Sequence, residues 1–231
     1  MERSYQDAIA YFGIDGAHPG RLPLTKRLLK KEVIHEGTKI LDAGCGTGQT
    51  SEYLAKVYRC QIYAVDKHPA MLQKAYDRFR LQNLPIQLFD ANLENIPCKD
   101  NRLDIVLAES TIVFTNIPRT LLEFHRILKP GGVLLTVDMT AEDDLSLPDK
   151  DRIKRFYGVF GVLTEREWLQ QFYSAGFKNV KIAGGNTVGE ELEQQRITRG
   201  AGYSGVLQNH ELFNIHYANQ LGYRVFRAEK P

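Results

Sequence analysis

The sequence has few cysteines and no long apolar run. Its three cysteines, Cys45, Cys60 and Cys98, are an odd number without metal-site spacing, which favours a reducing compartment and predicts no bound metal. No apolar run approaches the roughly 20 residues needed to cross a bilayer, so we expect no membrane contact. Met1 leads into mixed polar sequence without the pattern of a secretory leader. We therefore expect a soluble, cytoplasmic protein.

An excess of charge of either sign is also missing. The formal net charge is +2 in 231 residues, so nothing global points to a nucleic acid or an anionic membrane. Hydrophobic residues make up 43% of the chain and aromatic residues 10%. That is enough for one well-filled α/β core and too little for two large domains, so we expect a single domain over residues 1–231.

The glycine loop of this chain lacks two common phosphate-binding patterns. The stretch Lys39–Gln49 is typical of a buried strand, a glycine loop and a helix start. Gly44, Gly46 and Gly48 have the spacing G-x-G-x-G, whereas the dinucleotide fingerprint requires its third glycine at Gln49. No lysine follows the loop, which excludes the G-x-x-x-x-G-K-[ST] pattern. A glycine loop without pyrophosphate spacing favours S-adenosylmethionine as the cofactor.

Residues in and beside the loop have candidate roles toward that cofactor. Asp42 ends the first strand, where its carboxylate either orders the loop amides or reaches the amino group of the cofactor through water. Gly44 and Gly46 let the backbone approach where a Cβ atom would collide. The free amides of the helix that follows Gly48 suit the carboxylate of the methionine moiety. We interpret Cys45 as a small packing residue within this site.

The second strand also ends in an acid. Asp66 follows Asp42 by 24 residues, at the place where a carboxylate accepts hydrogen bonds from both ribose hydroxyls. The alternative role for Asp66 is to cap the helix that starts at Pro69. Lys67 and Met71 would flank the adenosine, Met71 as a soft apolar wall.

The third and fourth strands end in further candidates. For the adenine, which needs one polar group and an apolar slot, the first choice is Asn92 with Leu93 and the second is Asp90. Glu109 ends the fourth strand at the crevice where ligands bind in such sheets. It either touches the methionine end of the cofactor, acts on the acceptor, or forms a plain salt bridge.

Strand and helix patterns alternate along the chain, which predicts a parallel sheet with right-handed crossovers. The predicted strands are 40–43, 61–65, 86–90, 103–108, 133–138, 178–183 and 223–228. The predicted helices are 24–34, the stretch from the loop to 58, 69–81, 118–128, 164–174 and 209–221. We divide the domain into an N-terminal arm and helix (1–36), a cofactor-binding core (37–140), a lid (139–163) and a C-terminal part (164–231). Residues 184–208 give no clear pattern.

Five motifs in order resemble those of the class I S-adenosylmethionine-dependent methyltransferases. They are Ile40–Gly48, Asp66, Asn92-Leu93, Leu103–Val106 and Leu128–Gly132. The chain is most similar to the small-molecule branch that includes the menaquinone and ubiquinone C-methylases. The resemblance implies a Rossmann-like seven-stranded sheet of order 3-2-1-4-5-7-6, with the last strand antiparallel and helices on both faces.

The same resemblance implies a set of cofactor contacts. They map to Asp42, Gly44, Gly46, Thr47, Asp66, Asn92 and Leu93. The position at the end of the fourth strand is often Ser or Asn in the family and is Glu109 here. That departure suggests an acceptor-specific role for Glu109.

The reaction implied is in-line displacement at the sulfonium methyl group, with an oxygen, nitrogen or carbon atom of a small molecule as acceptor. Candidates for a general base are Glu109, His18 and Asp138. Aromatic residues that could form the wall of the acceptor site are Tyr5, Tyr11, Phe114, Tyr157 and Phe160. We expect a monomer or a homodimer.

Two other functions remain open from the sequence. A nucleic-acid methyltransferase would be expected to carry an Asn/Asp-Pro-Pro-Tyr motif after the fourth strand, where this chain has Glu109–Ile112, and a basic patch is also missing. A non-catalytic S-adenosylmethionine-binding partner protein would have the same loop and acids, so turnover is what distinguishes it.

Overall fold

A seven-stranded sheet forms the centre of the molecule, which is described by a computed structural model over residues 4–15, 18–189 and 205–231. The strands are β1 (Lys39–Ala43), β2 (Gln61–Asp66), β3 (Ile86–Asp90), β4 (Leu103–Glu109), β5 (Leu128–Ala141), β6 (Lys178–Thr187) and β7 (Leu221–Glu229). Their order is β3-β2-β1-β4-β5-β7-β6. The pairs from β3 to β5 are parallel, and β7 is antiparallel to both β5 and β6. The predicted sheet order and the antiparallel last strand are confirmed.

Helices cover both faces of the sheet. They are α1 (Tyr5–Phe12), α2 (Arg21–Leu29), α3 (Gln49–Tyr58), α4 (Pro69–Leu81), α5 (Ile117–Ile127), α6 (Leu147–Tyr157), α7 (Glu165–Ser174) and α8 (Gly205–His216), with a 3₁₀ turn at Ile112–Phe114. Alternate residues of β4 enter different core clusters. Val106 packs in the cluster that contains α5 and α7, and Leu107 packs in the cluster with Leu29 of α2 and Leu54 of α3. Side chains that alternate across a strand explain this division.

Local signals set the helix boundaries where they are strong. α4 has its predicted bounds because Pro69 occupies the first turn and the His68 side chain accepts a hydrogen bond from the Ala70 amide. α7 begins with a capping box, in which the Thr164 and Glu167 side chains each accept a backbone hydrogen bond.

Several predicted boundaries are wrong. α2 covers 21–29 rather than 24–34: Leu29 is its last buried residue, and Val33 is 88% exposed. β5 is longer at both ends than predicted, since its pairing with β7 continues to Ala141. α8 ends at His216 rather than 221, because Leu221 already pairs in β7.

The predicted lid, 139–163, contains the end of β5, a connection and helix α6. β6 continues to Thr187, four residues beyond its predicted end. Much of the stretch 184–208, which gave no clear pattern, falls outside the described residues. Within the described part of the chain no helix is both long and apolar enough to span a membrane.

Candidate functional site

A cavity of about 1440 Å³ opens at the carboxyl ends of the central strands, where open α/β sheets bind ligands. Its lining runs from Asp66 of β2 to Leu221 and Tyr223 of β7. Four strand spacings separate β2 from β7, which at about 4.8 Å each makes roughly 19 Å. Ligand sites usually measure ~300–1,000 Å³. The cavity therefore has room for two ligands side by side.

The glycine loop is held at the carboxyl ends of β1 and β2. The amides of Gly44 and Cys45 both donate to the carbonyl oxygen of Val65, at 2.8 and 2.9 Å. Gly44 has φ +78°, and a Cβ atom there would lie 2.2 Å from Thr111 Cγ2. Glycine is therefore required here because any side chain would clash with Thr111. A Cβ atom at Gly46 would meet no atom within 4 Å, so the space beside this residue is open to the cavity.

Asp66 lies directly beside this open space. Its carboxylate accepts hydrogen bonds from the amides of Gly46 and His68, both at 2.9 Å. A carboxylate offers about four lone-pair positions, so the Asp66 carboxylate can accept two further hydrogen bonds from a ligand. Asp90 is the register partner of Asp66 on β3 but is exposed and does not line the cavity. This placement removes Asp90 from the candidate adenine contacts.

The other predicted cofactor residues all line the cavity. They are Asp42, Gly44, Cys45, Gly46, Thr47, Asp66, Lys67, Met71, Asn92, Leu93 and Glu109. Asn92 accepts a hydrogen bond from the Glu94 amide at 3.0 Å, and this contact orients its side chain. Burial raises the pKa of the Cys45 thiol well above its ordinary value, so the thiol stays protonated and unreactive.

Asp42 joins β1 to α3. Its carboxyl group accepts a hydrogen bond from the Ser51 hydroxyl at 2.5 Å. The side chain is fully enclosed, and this burial raises its pKa to about 7. Asp42 therefore links the end of β1 to the first turn of α3, and the choice between the two roles predicted from the sequence stays a prediction.

Glu109 has the most unusual environment among the predicted site residues. It accepts hydrogen bonds from the Thr25 hydroxyl of α2 and, at 2.9 Å, from the Thr50 hydroxyl of α3. His18 Nε2 lies 3.6 Å from Glu109 Oε1. Burial raises the pKa of Glu109 to about 7, even though the hydrogen bonds from the two threonine hydroxyls favour the ionised form. The sequence did not single out either threonine, since both approach Glu109 from distant parts of the chain.

Asp138 does not line the cavity. It is fully buried in β5, where its carboxyl group accepts hydrogen bonds from the Thr136 hydroxyl and the Val113 amide. Burial raises its pKa to about 7. A side chain enclosed in this way has no route to an acceptor, so Asp138 is removed from the candidate bases.

Of the five aromatic residues predicted for the acceptor site, some line the cavity and others do not. Tyr5, Phe114 and Tyr157 line the cavity. Tyr11 is 61% exposed and Phe160 is 46% exposed, and both lie outside the lining. The expected acceptor contacts of Tyr11 and Phe160 are therefore not supported by their positions.

The sequence analysis missed several cavity residues, among them two on α8. His210 and Asn214 of α8 line the cavity on its β7 side, together with Tyr157 and Leu221. They were assigned only to a helix, because a lone histidine in a helical pattern gives no site signal. Their partner Tyr157 is 53 residues from His210 along the chain.

The N-terminal arm, residues 4–15 and 18–20, forms one wall of the cavity and is held to α4. Asp15 accepts hydrogen bonds from Arg78 at 2.9 Å and from the Thr47 hydroxyl of the glycine loop. Lys74 donates to the carbonyl oxygen of Tyr11 at 3.3 Å. These contacts are polar and partly exposed, and pairs of this kind contribute little stability, whereas Ala8 and Ala10 of α1 are buried.

The described residues contain no group of three or more His, Cys, Asp or Glu side chains placed to hold a metal ion. Among the described residues, the arginine and lysine side chains that line the cavity are Arg21 and Lys67. Both are exposed and lie beside the arm and β2, away from β7.

Comparison with known proteins places this architecture in a family. Residues 41–136 match the family model described as a methyltransferase domain. The chain is 33% identical over 233 residues to an uncharacterized methyltransferase, YodH, of Bacillus subtilis, covering 98% of this chain and 99% of that protein. It is 31% identical over 192 residues to the demethylmenaquinone methyltransferase of Staphylococcus saprophyticus, covering 68% of this chain and 77% of that enzyme.

Solved structures share the fold. A phosphoethanolamine N-methyltransferase 2 of Haemonchus contortus, in complex with phosphomonomethylethanolamine and S-adenosylhomocysteine, superposes with a TM-score of 0.79 at 20% identity. That match covers 98% of this chain and 57% of the larger enzyme. A geranyl diphosphate C-methyltransferase of Streptomyces coelicolor gives a TM-score of 0.75 at 15% identity, covering 91% of this chain and 80% of that one. These matches give no support to a nucleic-acid methyltransferase or to a non-catalytic binding protein.

Proposed function

Because this chain belongs to the class I S-adenosylmethionine-dependent methyltransferases, we propose that its cavity holds S-adenosylmethionine over β1 and β2 and a small-molecule acceptor beside it. The methyl group passes directly from the sulfonium to an oxygen, nitrogen or carbon atom of that acceptor. The cavity extends roughly 19 Å across the sheet, which leaves room for the acceptor toward β7.

The single observation that carries this proposal is the position of Asp66 beside the open face of Gly46. The two remaining acceptor positions of the Asp66 carboxylate match the two donors of a ribose diol. The space at Gly46, where a Cβ atom would meet nothing within 4 Å, admits the body of a nucleoside. Buried Met71 and Leu93 line the adjacent cavity and supply apolar faces for the adenine.

Electrostatics favour a positively charged ligand at the methionine end. The buried acids Asp42 and Glu109 line this part of the cavity, and the loop itself carries no lysine. We assign Glu109 to the ammonium group of the cofactor, with Thr25 and Thr50 fixing the orientation of the carboxylate. Both ring nitrogens of His18 face oxygens of the protein, Pro19 O at 3.0 Å and Glu109 Oε1 at 3.6 Å. We therefore assign His18 to holding Glu109.

When bound, S-adenosylmethionine supplies an electrophilic methyl group and a neutral thioether leaving group. The task of the protein is to align the acceptor with the methyl group and to exclude water. The N-terminal arm supplies a wall that encloses the site. Asp42, Asp66 and Glu109 organise the cofactor half of the cavity. An amine that binds uncharged requires no base, and neither does a hydroxyl group that is already ionised.

A labelled transfer assay tests the proposal. The protein is incubated with S-adenosylmethionine that carries a trideuteromethyl group and with pools of phenols, amines and carboxylic acids. We expect S-adenosylhomocysteine to form only with certain pools, and one acceptor mass to increase by one trideuteromethyl group. Asp66→Asn should slow this formation, and Asp90→Asn should not. Cofactor binding without transfer to any pool would contradict catalysis and favour a binding protein.

A further inference from the structure

Three polar side chains form a closed ring of hydrogen bonds on the β7 side of the cavity. His210 Nδ1 lies 2.8 Å from the Tyr157 hydroxyl, and Asn214 Nδ2 lies 3.1 Å from His210 Nε2. The Tyr157 hydroxyl in turn donates to Asn214 Oδ1 at 3.4 Å. With Nδ1–H donating to Tyr157 and Nε2 accepting from Asn214, all three groups are satisfied while His210 is uncharged. Burial lowers the pKa of His210 to about 4, which agrees with a neutral ring.

Aromatic faces enclose this ring. The Tyr5 ring meets Tyr157 edge-on, with centroids 4.9 Å apart, and lies 5.1 Å from the imidazole of His210. The Tyr5 hydroxyl makes no hydrogen bond within the described part of the chain, and it lines the cavity. Met139 and Leu221 supply apolar surface next to these groups. The pocket thus combines flat apolar walls with uncharged hydrogen-bonding groups.

The charge of this region restricts what can bind. The lysine and arginine of the described lining, Lys67 and Arg21, lie away from β7, and the ring itself is neutral. A phosphate or carboxylate brought here would lose hydration without gaining a counter-charge from the described residues of the lining, which is costly. An uncharged hydroxyl or carbonyl group loses little, because the second amide hydrogen of Asn214 and the remaining lone pairs of the Tyr157 and Asn214 oxygens can still donate and accept hydrogen bonds.

We infer that the Tyr157–His210–Asn214 ring is the specificity-determining element of the acceptor site, and that the acceptor is an uncharged aromatic molecule bearing a hydroxyl or carbonyl group. This inference rests on the proposed function, since it assigns the second ligand of the same cavity. The aromatic side chain of Tyr5 packs against the aromatic body of the acceptor. The Tyr5 hydroxyl and the Tyr157–His210–Asn214 ring bind the oxygen substituent. The reaction implied is methylation of a phenol-like compound at oxygen or at a ring carbon.

Three probes that share one aromatic body test the inference. Calorimetric titrations with 1-naphthol, 1-naphthyl phosphate and naphthalene are run with and without S-adenosylhomocysteine. We expect 1-naphthol to bind at least about fivefold more tightly than either other probe, the range of one or two good hydrogen bonds. The variant His210→Phe keeps an aromatic side chain at this position and removes the hydrogen bonds that close the Tyr157–His210–Asn214 ring. It should reduce the preference for 1-naphthol over naphthalene to less than about twofold.

A matched control lies on the same helix. His216 is exposed and does not line the cavity, so His216→Phe should retain the full preference. Both variants should bind S-adenosylhomocysteine as the wild type does, which also shows that they fold. Tighter binding of 1-naphthyl phosphate than of 1-naphthol, an unchanged preference in His210→Phe, or no binding of 1-naphthol at all would overturn the inference.

The same titrations separate this inference from the proposed function. If S-adenosylhomocysteine fails to bind the wild type, the proposed function fails. The 1-naphthol titrations without it then still decide the role of the ring.

Discussion

The hydroxyl group of Thr47, in the glycine loop, donates a hydrogen bond to the carboxylate of Asp15, in the N-terminal arm. Arg78 of α4 donates to both oxygens of the same carboxylate at 2.9 Å. One side chain thus links the wall of the cavity to the loop that receives the cofactor and to the helix behind it. The arm and the cofactor site are mechanically connected through Asp15.

This link predicts that Asp15 slows the release of the cofactor. Asp15→Asn removes the charge that pairs with Arg78, so the arm should open more readily. We expect S-adenosylhomocysteine to dissociate about two- to fivefold faster in stopped-flow displacement, the range of one partly exposed charged contact. Asp143→Asn is the control, because Asp143 forms an exposed pair with Arg166 at 3.9 Å and does not line the cavity. Equal dissociation rates in the two variants would contradict the link.

Glu109 predicts a pH dependence of cofactor binding. Its pKa is about 7 in the free protein because of burial, and the ammonium group of the cofactor favours the ionised form. Binding should therefore release a proton at pH 6, where Glu109 is largely protonated. Affinity for S-adenosylhomocysteine should rise between pH 6 and pH 8, by at most tenfold per pH unit for one proton. Calorimetry in buffers of different ionisation enthalpy measures the proton directly.

The variant Glu109→Gln provides the corresponding control. It keeps a side chain that can accept hydrogen bonds from Thr25 and Thr50 but cannot ionise. It should bind more weakly at pH 8 and show a smaller pH dependence between pH 6 and pH 8 than the wild type, because only Asp42, whose pKa is also about 7, still ionises in this part of the cavity. A pH profile identical to that of the wild type would mean that Glu109 does not receive the ammonium group.

Asp138 predicts a pH dependence of stability rather than of activity. Its pKa is raised by burial from 3.8 to about 7, so between these values the unfolded chain releases a proton that the folded chain keeps. Stability conferred by the neutral acid is thus fully present below pH 4 and is lost as the pH rises toward 7.

The variant Asp138→Asn removes this one contribution. Its free energy of unfolding should fall less steeply between pH 5 and pH 7, by up to about 1.4 kcal/mol per pH unit. Urea unfolding at several pH values measures the slope. Transfer activity should remain within about twofold, because Asp138 does not line the cavity. A large loss of activity in a stable variant would restore Asp138 as a candidate base.

The resemblance to the methyltransferase family implied the sheet order, which the structure confirms. The residues predicted to bind the cofactor could be picked out because the signals that mark them are local, and all of them except Asp90 line one cavity. The glycine loop, the acid that ends β2 and the proline that starts α4 are each readable within a few residues. The start of β5 was not readable in this way. Its Pro-Gly-Gly stretch is a typical stop signal, yet Gly131 and Gly132 pair with Lys230 near the other end of the chain.

The other half of the cavity depends on long-range contacts. His210 acquires a role only because α6 brings Tyr157 to 2.8 Å from it. Glu109 was recognised from its place at the end of β4, but its threonine partners come from two other helices. Periodicity and spacing carry no information about contacts between residues that are far apart in the sequence. This explains why the β7 side of the cavity was less predictable than the side formed by β1 and β2.

The central claim is that Asp66 receives the ribose of S-adenosylmethionine, and calorimetric titration with S-adenosylhomocysteine tests it most directly. We predict micromolar binding to the wild type and no binding of NAD. Asp66→Asn should lose about 1.5–3 kcal/mol of binding free energy, the range for hydrogen bonds to a charged group. Asp90→Asn, which alters the register partner outside the cavity, should lose none. Equal affinity of the Asp66→Asn variant and the wild type, or binding of NAD alone, would contradict the claim.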